Sequence, residues 1–255
     1  MSMLDQTRRV AHSLRMFGVH AHAEMRAQEA LAQNLHPLEF LALILDDEQR
    51  SRKESVAKRL LNKAKFRHGA DLEDWDESFE RGLPKARLKE LALLSFFHRK
   101  ENLLLYGKTG SGKTHIATAL GRRLCQEGHQ VLFFSVNLLF EEVAAHKASG
   151  KYLFFLNSLA KTGVVILDDF GLRSYSHEEA TVLMDLLEGG YGKNLFIVTS
   201  QVDKKGWSKL FEDAVIAEAL VDRLINPSQA IVLSGGSYRE KIQGGQAAKK
   251  QKSVA

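Results

Sequence analysis

Residues 107–114 read Gly-Lys-Thr-Gly-Ser-Gly-Lys-Thr, and this octet limits the fold more than any other stretch of the chain. It fits the spacing G-x-x-x-x-G-K-[ST] at every fixed position, the pattern of a phosphate-binding loop. The flanks supply the context that pattern needs: an apolar run at 102–106 reads as a buried strand entering the loop, and 115–126 reads as a helix leaving it. Glycines let backbone N–H groups turn inward around an anion, and the helix N-terminus adds partial positive charge. The whole octet, Gly107, Lys108, Thr109, Gly110, Ser111, Gly112, Lys113 and Thr114, is therefore the candidate nucleotide contact. In it Lys113 is expected to reach the β- and γ-phosphates of ATP, and the Thr114 hydroxyl to ligate Mg²⁺. The bland alternative is a glycine-rich turn that binds nothing.

At 255 residues the chain accommodates one α/β domain of ordinary size and a smaller appendage. The formal charge of +5 argues mildly for a polyanionic partner. Cys125 is the only cysteine, which excludes an intrachain disulfide and a cysteine-based zinc site. The first residues lack the apolar segment of a signal peptide, and no apolar run is long enough to span a bilayer. The expected setting is the cytoplasm, with no membrane partner.

Residues 1–68 read as a small helical domain for DNA or partner binding. Leu4, Val10, Leu14 and Phe17, then Met25, Leu31 and Leu35, then Leu38, Leu41 and Leu45 are spaced like the apolar sides of helices. Pro37 suits the first turn of a helix running over 38–66. The second half of that helix carries Arg50, Arg52, Lys53, Lys58, Arg59, Lys63, Lys65 and Arg67 against the single acid Glu54, a density of one sign that favours DNA phosphates over a merely solvated face. Charge then reverses across an acidic linker at 69–84, in which Trp75 and Phe79 are expected anchors. A helix over 85–98 leads to the phosphate-loop strand. From 102 strands and helices alternate, as a parallel sheet with crossover helices requires, and the ATPase domain spans 85–243. The basic tail 244–255 is expected to be disordered.

Two further strand ends carry chemistry. Residues 164–169, VVILDD, form an apolar strand ending in two carboxylates. Asp168 is placed to hold Mg²⁺, and Asp169 to orient or deprotonate an attacking water. The strand at 195–199 ends in Thr199, Ser200 and Gln201, of which Ser200 and Gln201 are favoured to bond the γ-phosphate or the lytic water. A simple surface turn is the alternative for each.

The loop, the DD strand, TSQ at 199–201 and ALVDRLINPSQAIVLSGGSYR at 219–239 together resemble the AAA+ ATPases of the DnaC and IstB group, and the N-terminal helices resemble IstB. The resemblance covers nearly the whole chain. It implies an α/β P-loop core with five parallel strands in the order 5-1-4-3-2; a full lid domain, as in larger AAA+ proteins, is not expected, because too little sequence follows Arg239. It also implies ATP-dependent homo-oligomeric rings or helical filaments, with the ATP site between subunits, threaded by duplex DNA and recruiting a transposase. Arg223 falls where the family supplies an arginine finger to a neighbouring subunit's ATP, and Arg239 where it places a second nucleotide-sensing arginine, in cis or in trans. The helices between the second and third strands resemble the extra insertion of replication initiators and loaders, so Lys147, Lys151 and Lys161 are further candidate DNA contacts. The expected function is a transposition helper ATPase. A replicative helicase loader is the near alternative; a small-molecule P-loop kinase and a nucleotide-insensitive DNA-binding protein are the distant ones.

Overall fold

The computed structural model describes residues 2–240, so the tail at 244–255 lies outside the described residues. The chain divides into two compact units. One runs to Leu60 and takes in Gln126–Gly128; the other holds the rest from Leu61. The boundary thus falls before the expected residue 68.

The first unit is built on α1 (Met3–Ser13), α2 (Phe17–Gln33) and α3 (Pro37–Lys63), the last of which runs on into the second unit. Ser2 and Asp5 form a capping box that opens α1, and Pro37 starts α3 as its fixed φ favours. α3 stops short of the expected residue 66, and Lys65 turns left-handed at φ 59°. The expected apolar faces are not the core. Val10, Leu14, Phe17, Met25, Leu31, Leu38, Leu41 and Leu45 are exposed, and the buried cluster is Ala11, Val19 and Ile44. The reason is a close helix crossing: a Cβ on Gly18 would stand 2.5 Å from the Asp47 carbonyl oxygen. Buried carboxylates fasten that crossing. Glu48 accepts from the Gly18 and Val19 N–H groups at 2.8 and 3.3 Å, donors that the first turn of α2 leaves unpaired. Asp47 accepts two bonds from Arg26, at 2.7 and 2.9 Å, which hold its carboxyl below the usual carboxylate range.

In the second unit α4 (Lys85–Ala92) and α5 (Ser95–His98) replace the single helix expected over 85–98, because Leu94 is left-handed at φ 54°. Then follow β1 (Asn102–Gly107), α6 (Lys113–Gln126), β2 (Val131–Ser135), α7 (Val136–Ala148) and α8 (Tyr152–Ala160). They are succeeded by β3 (Val164–Phe170), α9 (His177–Gly189), β4 (Leu195–Ser200), α10 (Ala214–Ile225) and β5 (Ser228–Leu233). The sheet order is β2-β3-β4-β1-β5 with every pair parallel, the arrangement expected of an AAA+ core. Both faces are covered, which is why the strands read as continuous apolar runs. Leu104, Tyr106, Val165 and Leu167 join one core with residues of α7, α8, α9 and α10. On β3, Ile166 meets α6 so closely that a Cβ on Gly121 would stand 2.7 Å from its Cδ1.

Residues 69–84, expected to be a linker, belong to this unit: Leu72, Trp75 and Arg81 are buried. Among the described residues no helix is long and apolar enough to cross a membrane.

Candidate nucleotide site

The site begins where β1 runs out. The chain turns through the loop and re-enters regular structure as α6 at Lys113. Gly112 has φ 100°, and a Cβ there would stand 2.7 Å from the Trp75 ring, so both conformation and space demand glycine. Lys113 is buried, and its ammonium donates to the carbonyls of Gly107 at 2.7 Å and Lys108 at 2.9 Å. Burial lowers its pKa, while the nearby Asp169 and Asp168 carboxylates act in the opposite direction.

β3 brings Asp168 to the same place. Its Oδ1 accepts from the Thr114 hydroxyl at 2.8 Å and from the Thr199 hydroxyl at 2.6 Å. Burial pushes its carboxyl above the usual range, and the two hydroxyl bonds oppose this only partly. A buried carboxylate with an adjacent hydroxyl is an oxygen donor set suited to a hard cation such as Mg²⁺, whose charge would offset the cost of burial. Asp169 adopts φ 61°, unusual for a residue with a side chain, at an irregularity in the β3 to β4 pairing. Its N–H donates to Thr199 Oγ1 at 3.0 Å.

β4 corrects one expectation. Ser200 is buried and faces away from the loop: its hydroxyl donates to the Phe170 carbonyl at 2.8 Å and accepts from the Val202 N–H at 3.0 Å and Trp207 Nε1 at 3.3 Å. Alternation along a strand explains this, since Thr199 and Ser200 point to opposite faces. Gln201, just past the strand, accepts from the Thr109 hydroxyl at 3.0 Å and stays with the loop.

A cavity of about 440 Å³ joins these groups: Lys113, Thr114, Asp168, Asp169 and Gln201 line it. So does Arg239, the candidate second sensing arginine, which lies by the loop of its own chain. Arg67, one of the expected DNA contacts, also lines it, and its charge opposes the upward shift of the Asp168 carboxyl. Trp75, Arg81, His115 and Tyr238, which the sequence reading did not place at the site, also line it. The one available signal was the paired aromatic and basic residues flanking the sheet, at 75–81 and 238–239.

The remaining basic residues divide. Arg50 pairs with Asp46 at 2.8 Å and Arg52 with Glu48 at 2.6 Å, acids one turn earlier that a count within 50–67 misses. Lys65 pairs with Glu142 at 3.0 Å, and the Lys147 ammonium lies 5.0 Å from the Tyr152 ring centroid. Lys53, Lys58, Arg59, Lys63, Lys151 and Lys161 are exposed.

Arg223 lies at the other end of the strands. Its carbonyl accepts from Asn102, the first residue of β1, at 3.3 Å, and its guanidinium pairs with Glu188 at 3.0 Å beside a second cavity of about 510 Å³. The phosphate loop begins at Gly107, the last residue of β1, so Arg223 is separated from it by the length of the strand.

The sequence profile of the family described as IstB-like ATP binding protein matches residues 9–246. A protein of insertion sequence IS21 from Pseudomonas aeruginosa, named for ATP binding, is 34% identical over 89% of this chain and 86% of its own length. A counterpart in an insertion sequence of Mycobacterium tuberculosis is also 34% identical, over 96% of this chain and 98% of its own. Among solved structures, DnaI superposes with a TM-score of 0.56 at 23% identity, covering 69% of this chain and 94% of DnaI. The DnaC helicase loader does so with a TM-score of 0.54 at 20% identity, covering 65% of this chain and 97% of DnaC. The two structural likenesses speak to the fold alone; the profile and the two insertion-sequence relatives, which span almost the full chain, make this protein a member of the IstB-like ATP binding protein family.

Proposed function

We propose that the protein is an ATP-dependent DNA-binding helper of transposition, an ATPase that assembles on duplex DNA with ATP bound and disassembles on hydrolysis, so regulating a transposase and its target. One observation carries this reading. Lys113, Thr114, Asp168 and Asp169 share a cavity, while Arg223 lies past the opposite end of β1, so that each chain holds the major part of one site and one residue for another. Relatives named as insertion-sequence ATP-binding proteins support the transposition setting and favour it over helicase loading.

In this reading Lys113 exchanges the carbonyls of Gly107 and Lys108 for the β- and γ-phosphates of ATP, and the loop N–H groups hold the phosphate chain. Thr114 and Asp168 would hold Mg²⁺, which when bound supplies positive charge to the phosphate oxygens. Asp169 orients or deprotonates the attacking water, and Gln201 and Arg239 contact the γ-phosphate end. Arg223 of a neighbouring protomer neutralises charge developing on the transferring phosphoryl group, which makes turnover depend on assembly. Lys53, Lys58, Arg59 and Lys63, with Lys147 and Lys151, meet DNA phosphates, so binding is strongly salt-dependent and weakly sequence-dependent.

The test is complementation. Arg223→Ala and Lys113→Ala proteins are each expected to lose ATP turnover in the presence of DNA, by a hundredfold or more. Mixed, they should regain a fraction of wild-type turnover, because one contributes the intact loop and the other the arginine. Absence of recovery at every mixing ratio would count against a shared site.

A further inference from the structure

The end of the cavity away from Asp168 is walled by an unusual stack. Arg81 is 4% exposed, yet its Nε has no hydrogen-bond partner. Its guanidinium lies 3.4 Å from the Trp75 ring centroid and 4.4 Å from that of Tyr238, and one NH2 group donates to the Asp76 carbonyl at 3.1 Å. Burying a guanidinium with an orphaned donor costs free energy that a purely structural staple could avoid with an apolar residue.

The stack is joined to the phosphate loop on both sides. Trp75 leans on Gly112, and the Tyr238 N–H donates to the Gly110 carbonyl at 3.0 Å. It is also asymmetric. The Trp75 side is in close contact with the guanidinium, and the Tyr238 side, carried by the segment that follows β5, is looser and half-buried. Planar cations and aromatic rings are the surfaces on which nucleobases stack, because every base presents a π face.

We propose that Trp75 and Arg81 form a fixed platform for the nucleobase of the bound nucleotide, with Tyr238 as the cover that lifts to admit it, and that Arg81 is the base-contacting residue. The base seats against the Tyr238 side of the guanidinium, where face-to-face stacking on the planar cation carries the contact. This rests on the cavity's reading as a nucleotide site and adds to it the residue that distinguishes a nucleotide from bare polyphosphate.

The experiment is calorimetric titration of the full chain with Mg·ATP and, separately, with Mg·tripolyphosphate, which has the phosphates and no base. Arg81→Ala should weaken ATP binding about tenfold or more and leave tripolyphosphate within about twofold of wild type. Arg81→Lys, which keeps the charge and loses the planar face, should show the same selective loss. Tyr238→Ala, at a half-buried position, repeats the test independently of any cost that replacing Arg81 has for folding, and is also expected to weaken ATP alone. Equal losses on both ligands, no loss, or a gain for ATP would overturn the proposal. Wild-type protein that binds neither ligand would overturn the nucleotide reading itself.

Discussion

Thr199 is completely buried, and its hydroxyl does two things at once: it donates to Asp168 Oδ1 at 2.6 Å and accepts from the Asp169 N–H at 3.0 Å. Replacing it with valine keeps the branched shape and removes both bonds. The bond to the carboxylate contributes about 1.5–3 kcal/mol, and leaving the partly buried N–H without an acceptor costs about 1 kcal/mol more. A total near 3 kcal/mol lowers the melting temperature of a chain this size by about 6–12 °C. Thr199→Ser retains the hydroxyl, gives up one methyl group and should cost only about 1 kcal/mol. The loss should also depend on pH. Burial already raises the Asp168 carboxyl, and valine removes one of the two hydroxyls that oppose this, so the folded-state pKa of Asp168 rises further. The ionised form needs the donor, so the penalty is full at pH values above that pKa and shrinks as pH falls through it and the carboxyl protonates. Thermal melts followed by circular dichroism, over a pH series from neutral down to the acid limit of folding, measure both effects. If valine and serine variants melt together, or if the gap between valine and wild type never narrows along that series, the assignment of Thr199 as the residue that holds Asp168 fails.

Two other substitutions separate stability from turnover. Asp168→Asn removes a buried charge whose ionisation opposes folding while preserving an oxygen for Thr114 and Thr199, so without nucleotide it should raise the melting temperature while weakening Mg·ATP binding in calorimetry; a lowered melting temperature would contradict the burial argument. Ser200→Ala strips bonds to Phe170, Val202 and Trp207 in the core and should destabilise by about 2 kcal/mol in denaturant unfolding, with ATP turnover unchanged well below the transition.

The sequence carried the second unit well and the first poorly, for a physical reason visible in particular residues. In the second unit β1 to β4 are buried on both faces and key boundaries are punctuated: Ser176 and Glu179 box the start of α9, Asp213 caps α10, and glycines open the phosphate loop. Local chemistry and tertiary demand agree there, so strands, order and loop could be read in advance. In the first unit the long apolar residues suggested core faces, but the packing is decided by Gly18, Ala11 and two buried carboxylates, which carry little periodic signal. At the site, Ser200 was favoured because it is polar and near the end of β4. Register against β3 decides instead that Thr199 reaches Asp168, and register is a property of two strands rather than of one. The place of Arg67 on the cavity wall is not legible in the sequence, because nothing local announces that α3 ends at Lys63 and the chain turns toward the carboxylates.

The sheet itself explains why a protomer of the proposed assembly would need a neighbour. β1 spans six residues, about 17 Å from its first to its last Cα. At its end stand the phosphate loop, the β3 carboxylates and the nucleobase wall; at its beginning Asn102 fixes the backbone of Arg223 and Leu224 through bonds of 3.3 and 3.0 Å. An arginine side chain covers less than half that distance, so no rotamer of Arg223 reaches the loop of its own chain. What holds it in the single chain is weak by comparison: Glu188 is 56% exposed, and such surface pairs contribute about 0–1 kcal/mol. A triphosphate presented by another protomer carries several negative charges into a less solvated setting and would draw the guanidinium away from Glu188. The dependence of turnover on assembly would therefore come from the length of a strand, and not from a latch that must first be broken.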